Sequence, residues 1–354
     1  MAAIEDVRLG FVGLGNIAHL HADEVVDVGG TIAAGTDIDE DARDRFAEKY
    51  GAEVYEDETA MFEHVDAVVV STPNRFHEEY VVSALEAGLD VLVEKPLADS
   101  MESAERIAEA EREAEGFCMV GFHNRFRGPV EVLDNYRQDG ELGTVSHVEA
   151  NYIRRRGVPG RGSWFTRKEI SGGGAVIDIG THAIDVALYL LGFPEIEEVS
   201  AQTRAQFGPD DDYTYLNMWG YDEGAGGFDV EDSATALIRC ANGKTISLEV
   251  AWASNRFPSQ ELVIRGDEGG AHLDMADDSL TVLDTDDDGT AHHRDTEIQT
   301  VDQEAHGLEQ QYFLEHVASG ETPAMNTIEE GLTVQRVMEA IYESSEAGEA
   351  VSLE

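Results

Sequence analysis

The chain has 354 residues and carries 24 lysines and arginines against 73 aspartates and glutamates, a formal net charge of −49. At that length two domains are the prior, because a single core seldom keeps growing beyond about 250–300 residues. A balance this acidic, with no basic patch to offset it, excludes nucleic acid and an anionic membrane as expected partners. The acid is spread along the whole chain, and the only lysines are Lys49, Lys95, Lys168 and Lys244. Such a surface suits a halophilic protein, since at 1 M salt a Debye length of about 3 Å screens the self-repulsion. Cys118 and Cys240 lie in apolar, strand-like runs and read as free buried thiols, not as a disulfide or a metal site. No apolar run approaches the ~20 residues of a membrane span. Residues 1–8 lack the basic-then-apolar order of an export signal, so the expected location is the cytoplasm.

In chain order, Val7–Val12 is a short apolar strand, followed at once by Gly13-Leu14-Gly15-Asn16-Ile17-Ala18 and a helical stretch to about Val28. In that strand–turn–helix context Gly13 permits the tight turn, Gly15 lets the backbone approach a pyrophosphate, and Ala18 lets helix pack on strand. The helix start, including Asn16 and Ile17, offers unpaired N–H groups to phosphates. The next strand, Thr31–Thr36, ends at Asp37. An acidic residue there accepts hydrogen bonds from the ribose hydroxyls and repels a 2′-phosphate. With no Arg or Lys at 38–41, the expected cofactor is NAD, with NADP disfavoured; the competing role for Asp37 is to cap the helix Glu40–Tyr50.

Strands at Ala67–Ser71 and Asp90–Val93, with a helix at about Arg75–Ala87 between them, continue a βαβ alternation that implies a parallel, doubly wound sheet. Ligands bind at the carboxyl ends of such strands. Two loops fall there: Ser71-Thr72-Pro73-Asn74, with His77 close behind, and Glu94-Lys95-Pro96. Lysine can donate to an alcohol or carbonyl oxygen and shift its pKa. Its placement at a strand end, in a chain nearly without lysine, points to function over a solvated pair with Glu94.

After the run Phe117–Val120 and the segment Gly121–Phe126, a helix is expected over Gly128–Gln138 and a strand over Thr144–Ile153. Arg154–Arg161, the one basic cluster, reads either as a loop over a pocket or as a set of ion pairs with neighbours or a sister subunit. Gly172-Gly173-Gly174 then opens an apolar helix running to Leu191, on which Asp178, His182, Asp185 and Tyr189 recur every three or four residues. That spacing stacks them on one face, and buried polar groups need partners. The stripe is either a satisfied core network or a catalytic Asp–His pair facing a cavity.

Beyond Gly192 the chain turns to long strands: Glu197–Phe207, Ser233–Cys240, Lys244–Ser254, Gln260–Arg265, Ala271–Met275, Leu280–Asp284 and His292–Gln299. Asn242-Gly243 signals a two-residue hairpin. This predicts an open, mainly antiparallel sheet whose outer face could bury against a second subunit. Asp284–Gly289 lacks the distal glutamate of a calcium loop, and no metal site is expected. Helices at about Glu304–Ser319 and Asn326–Ala347 close the chain.

These motifs together resemble the glucose-fructose oxidoreductase/inositol dehydrogenase/MocA-type oxidoreductases. The shared features are Gly13–Ala18, Thr72-Pro73-Asn74 with His77, Glu94-Lys95-Pro96, and Gly172–Gly174 followed by Asp178, His182 and Asp185; the hairpin with Trp252 is similar too. The resemblance implies an α/β protein with an N-terminal Rossmann domain (1–125) and a C-terminal α/β domain with an open, mainly antiparallel sheet (126–325). A last helix (326–354) would pack back on the first domain. It further implies an NAD-dependent dehydrogenase of a sugar, polyol or related cyclic alcohol, active as a homodimer or homotetramer. Lys95, Asp178 and His182 would be catalytic; Thr72, Pro73, Asn74, His77 and Glu94 would hold the cofactor; Asn124, Arg161, Trp164 and Lys168 would line the substrate side. An NAD-assisted glycoside hydrolase or lyase, or a non-catalytic dinucleotide-binding protein, are the alternatives.

Overall fold

Short apolar strands separated by amphipathic helices build the first sheet. In the computed structural model, which describes residues 3–353 except 217 and 219, these elements are β1 (Arg8–Val12), α1 (Asn16–Asp27), β2 (Thr31–Thr36), α2 (Glu40–Tyr50), β3 (Glu53–Tyr55), α3 (Glu58–Phe62), β4 (Ala67–Val70), α4 (His77–Glu86), β5 (Asp90–Glu94), α5 (Met101–Glu113) and β6 (Cys118–Gly121). The strand order β3-β2-β1-β4-β5-β6 is parallel throughout. It is the doubly wound order, with its crevice where the order reverses between β1 and β4. Buried on both faces, β4 is the unbroken run Ala67–Val70, as parallel strands tend to be. Its neighbours Leu9, Phe11 and Leu92 pack with Ala18, Ala22 and Val25 of α1.

The second sheet follows α6 (Gly128–Gln138), β7 (His147–Ile153), α7 (Lys168–Ser171) and α8 (Thr181–Leu191). Its other strands are β8 (Ile196–Arg204), β9 (Ser233–Cys240), β10 (Thr245–Ala251), β11 (Ser259–Arg265), β12 (Gly270–Asp274), β13 (Ser279–Asp286) and β14 (His292–Ile298). The chain ends with α9 (Ala305–Ser319), α10 (Ile328–Ala347) and β15 (Val351–Ser352). Nine strands pair in the order β14-β13-β12-β11-β7-β10-β9-β8-β15, with β7 and β10 the one parallel neighbour pair. The hairpin between β9 and β10 has four connecting residues, 241–244, where two were expected; Asn242 and Gly243 both take positive φ, at 63° and 75°.

The chain divides into two compact units, residues up to 123 with 304–335, and 124–303 with 336 onward. These boundaries differ from the expected 1–125, 126–325 and 326–354. The reason for α9 is its apolar face, since Phe313 and Leu314 are wholly buried in the cluster of Val25 and Phe117 in the first unit. Only the part of α10 up to Gln335 falls in that unit. Residues 168–191 form a stretch long and apolar enough to cross a membrane by length and composition, which the sequence reading had not registered; 83% of its most apolar window is buried in the protein. Helices apolar all round are expected in a core.

Candidate active site

In the first unit, the glycine turn is built for something outside the protein. Gly13 has φ 83° and donates its N–H to the Thr36 carbonyl at 2.9 Å. A Cβ there would strike Thr72. Gly15 differs, because a Cβ added to it would meet nothing within 4 Å. The open space lies at the start of α1, where Gly15 and Asn16 are exposed, Ile17 is half-buried and the first N–H groups have no intrahelical partner. Thr72 adds a buried hydroxyl with no hydrogen-bond partner among the described residues.

The Asp37 carboxylate accepts from the Leu14 N–H at 2.7 Å and from the Asp39 N–H at 2.8 Å. It is therefore tied to the glycine turn, and the cap of α2 is Asp39, whose side chain accepts from the Asp41 N–H. Arg43, outside the stretch searched for basic residues, donates to the Asp37 carbonyl at 2.7 Å. That proximity was not visible from residues 38–41.

The second pair of loops is braced from beneath. His77, 1% exposed, sits 2.9 Å from the Thr72 carbonyl and 3.0 Å from the Pro96 carbonyl, so it joins the two loops and does not itself face a cofactor. Burial lowers its pKa. Pro73 is half-buried and Asn74 buried. Lys95 follows the carboxyl end of β5 and is half-buried, and the Lys95–Pro96 peptide is cis. Glu94 turns inward. Its side chain is buried against His21, with Glu94 Oε1 2.5 Å from His21 Nε2, and Oε2 accepts from the Lys95 N–H at 3.1 Å. Burial alone would raise this carboxyl, but the hydrogen bond and charge of His21, with Lys95 and His306, outweigh it and lower its pKa to about 2.

In the second unit Gly173 and Gly174 serve internal packing. A Cβ on Gly173 would overlap the Tyr342 hydroxyl, and one on Gly174 the Glu231 carbonyl. The buried Glu231 carboxylate accepts the N–H groups of Gly174 at 3.0 Å and Val176 at 2.9 Å, and the Tyr342 hydroxyl donates to it at 3.0 Å. A carboxylate at these N–H groups anchors the helix start and complements its dipole. Burial pushes the Glu231 carboxyl up.

From Val176 to Gly180 the helix takes a wider π turn before α8 begins. Such turns recur at functional sites, and this one alters the simple stacking expected of the polar stripe. Asp178 accepts the Trp252 indole N–H at 2.8 Å and lies 3.6 Å from Arg154 Nη1. His182 is half-buried one turn on. Asp185 instead forms a fully buried ion pair with Arg125 at 2.6 Å, and the Tyr189 hydroxyl donates to Asp134 at 3.1 Å. The stripe thus divides into a half-buried pair and a core network.

The expected substrate residues also divide. Arg161, 2% exposed, donates to the Gly208 carbonyl at 2.9 Å and to the Asp210 carbonyl at 2.5 Å, and pairs with Asp222 at 3.3 Å. It holds Gly208, Asp210 and Asp222 from inside. Asn124 is buried in a 3₁₀ turn, His123–Phe126. Trp164 is half-buried with its ring 3.7 Å from that of Phe165, while exposed Lys168 places Nζ 5.8 Å from the Tyr342 ring centre. Of the basic cluster, Arg154 reaches Asp178, and Arg156 donates to the Ser254 carbonyl at 2.8 Å. Sequence reasoning missed Glu231 and His21. Among 73 acidic residues nothing singled out Glu231; His21 could have been flagged as a histidine inside the dinucleotide helix. Among the described residues no group of three or more His, Cys, Asp and Glu could hold a metal.

Residues 7–122 match a family model described as an oxidoreductase family with an NAD-binding Rossmann fold, and residues 130–272 match one for the GFO/IDH/MocA C-terminal domain. D-glucoside 3-dehydrogenase of Escherichia coli is 35% identical over 318 residues, 87% of this chain and 86% of that protein. The scyllo-inositol 2-dehydrogenase (NAD(+)) of Bacillus subtilis is 29% identical over 343 residues, 93% and 91% of the two chains. A levoglucosan dehydrogenase solved with NADH superposes with a TM-score of 0.86 at 23% identity, covering 98% of this chain and 99% of that one, a likeness of fold.

Proposed function

The chain belongs to the Gfo/Idh/MocA family of NAD(P)-binding oxidoreductases, and from that premise we propose that it is an NAD-dependent dehydrogenase of a sugar, polyol or related cyclic alcohol. The observation that carries this is the strand-end row of the first unit. There Gly15 leaves open space at a helix start, Asp37 stands at the end of β2, and Lys95 stands at the end of β5. The open cradle and the buried hydroxyl of Thr72 fit a pyrophosphate and its sugar. NAD, when bound, supplies the hydride acceptor at its nicotinamide.

The chain's own residues handle the proton. His182 takes it from the reacting hydroxyl, the role imidazole most often fills in general base catalysis. Asp178, held by Trp252 and Arg154, supplies negative charge one turn before it. Lys95 donates to the reacting oxygen and stabilises its developing charge. Trp164, Lys168 and Asn124 are the candidates for the sugar side. Asp37 favours NAD over NADP, although Arg43 beneath its carbonyl keeps a cation close by.

The D-glucoside and inositol activities of the relatives suggest the panel for a test: free hexoses, alkyl glucosides and inositols, with NAD, in molar salt. Net NADH with at least one is expected. Product formed without net NADH, together with solvent deuterium next to the oxidised carbon, would favour the glycoside-cleaving alternative. The acidic composition supports adaptation to molar salt and a cytoplasmic location, and the nine-stranded sheet supports a homodimer or homotetramer through its open face. Sedimentation at low and molar salt tests both the salt requirement and the assembly.

A further inference from the structure

A chain of hydrogen bonds runs through the interior of the first unit to the residue before Lys95. Gln310 on α9 lies with Nε2 2.9 Å from His21 Nδ1; His21 on α1 lies with Nε2 2.5 Å from Glu94 Oε1; and Glu94 Oε2 accepts from the Lys95 N–H at 3.1 Å. Gln310 and His21 are 0% and 1% exposed. His306, also on α9, meets the His21 ring edge-on at 5.7 Å and stacks on His123 at 3.8 Å. Nothing in cofactor binding, as described above, uses these groups. A buried carboxylate costs several kcal/mol to desolvate unless it is paired, so a core position held by Glu94 asks for a reason.

We propose that His21 is a positioning residue for Lys95, acting through the Glu94 carboxylate. His21 donates to one carboxylate oxygen, which leaves the other to fix the Lys95 backbone at the end of β5. Glu94 is thereby kept ionised and held against the Lys95 N–H. The groups facing Glu94 are His21 from α1, His306 from α9, His77 from α4 and Lys95 from its own strand. Three of the four are histidines, so the carboxylate is the one fixed negative charge in the set. Removing the His21 donor leaves Glu94 buried without its strongest partner. Burial then favours the neutral acid, and the Lys95 N–H loses its fixed acceptor.

The proposal rests on Lys95 as the reacting lysine only for its consequence in turnover, and its test needs no substrate. In the full-length protein, hydrogen exchange of the Lys95 amide reads its bond to Glu94. In His21→Ala that amide should lose about tenfold in protection, while amides of the second unit stay in place. Glu94→Ala, which removes the acceptor, should do the same and carries the test if His21→Ala does not fold. His21→Gln places an amide N–H near the imidazole Nε2 and should restore the wild-type protection. An unmoved Lys95 amide in the folded variants, or an equal loss throughout the first unit, overturns the proposal. Full activity of Lys95→Ala would instead overturn the catalytic assignment and leave the exchange result standing.

Discussion

Two glycine-rich turns open the two helices on which the proposed chemistry depends, and their glycines exist for opposite reasons. At Gly15 an added Cβ would meet nothing, so the space beside it is open. At Gly173 and Gly174 the same atom would overlap Tyr342 and Glu231, so the room is already filled by the protein. One turn is held open, and the other is locked by a carboxylate on the N–H groups of Gly174 and Val176. Glycine in a sequence therefore marks close approach without saying what approaches.

The contrast extends to the two aspartates of α8 and its preceding turn, where the largest effects are expected. Asp185→Ala should cost about 3–5 kcal/mol by stranding Arg125 in the core, read as a lower urea midpoint. Asp178→Ala should keep most of the stability and lower turnover by about 10²-fold or more. Equal stability losses in the two variants would erase the distinction between them.

A smaller effect separates the turns themselves. Gly174→Ala should destabilise by about 1–3 kcal/mol through overpacking and reduce kcat, as the helix start shifts away from Glu231. Gly15→Ala should melt like the parent without cofactor and lose NAD affinity by about tenfold or more, since a bound pyrophosphate needs that space; isothermal titration measures it. Ligand-free melting of Gly15→Ala well below the parent would contradict the open-cradle description.

Smaller still is the change of cofactor. Asp37→Ser should weaken thermal stabilisation by NAD and increase that by NADP, each through the binding term of the melting curve. Unchanged NAD stabilisation would leave Asp37 with only its structural bonds to Leu14 and Asp39.

A further contribution is the one seen in acid. Glu94 is held at about 2 against an ordinary value of 4.5. A depressed carboxyl contributes stability that is present above pH 4.5 and is lost as pH falls toward 2. Glu94→Gln should lack that part of the acid dependence, which urea unfolding at stepped pH resolves.

Much of this was legible because it is local. Strand–turn–helix order around Gly13–Ala18, Asp37 at the next strand end, and Lys95 at another are short-range patterns with a direct physical meaning. α2, α6 and β9 were read with their observed limits, since caps and alternation lie within the segments. What escaped depends on contacts far apart in sequence. Glu231 acts 57 residues from Gly174 and His21 acts 73 residues from Glu94. Neither spacing leaves a periodic trace. That Arg161 and Glu94 turn inward escaped for a related reason: side-chain direction, inward or outward, is set by packing, and a charged residue in a loop or at a strand end looks the same either way. The π turn at Val176–Gly180 was invisible because the apolar run there reads as an ordinary buried helix.

The central claim is that Lys95 and His182 move the proton of an NAD-dependent alcohol oxidation. It is tested most directly by NADH formation from the best sugar, glucoside or inositol of the panel, measured in molar salt for the parent, Lys95→Ala and His182→Ala. Both variants should lose about 10²–10⁴-fold in kcat while binding NAD within a few-fold of the parent. Parent-like kcat in either variant, with NAD still bound, would contradict that residue's role.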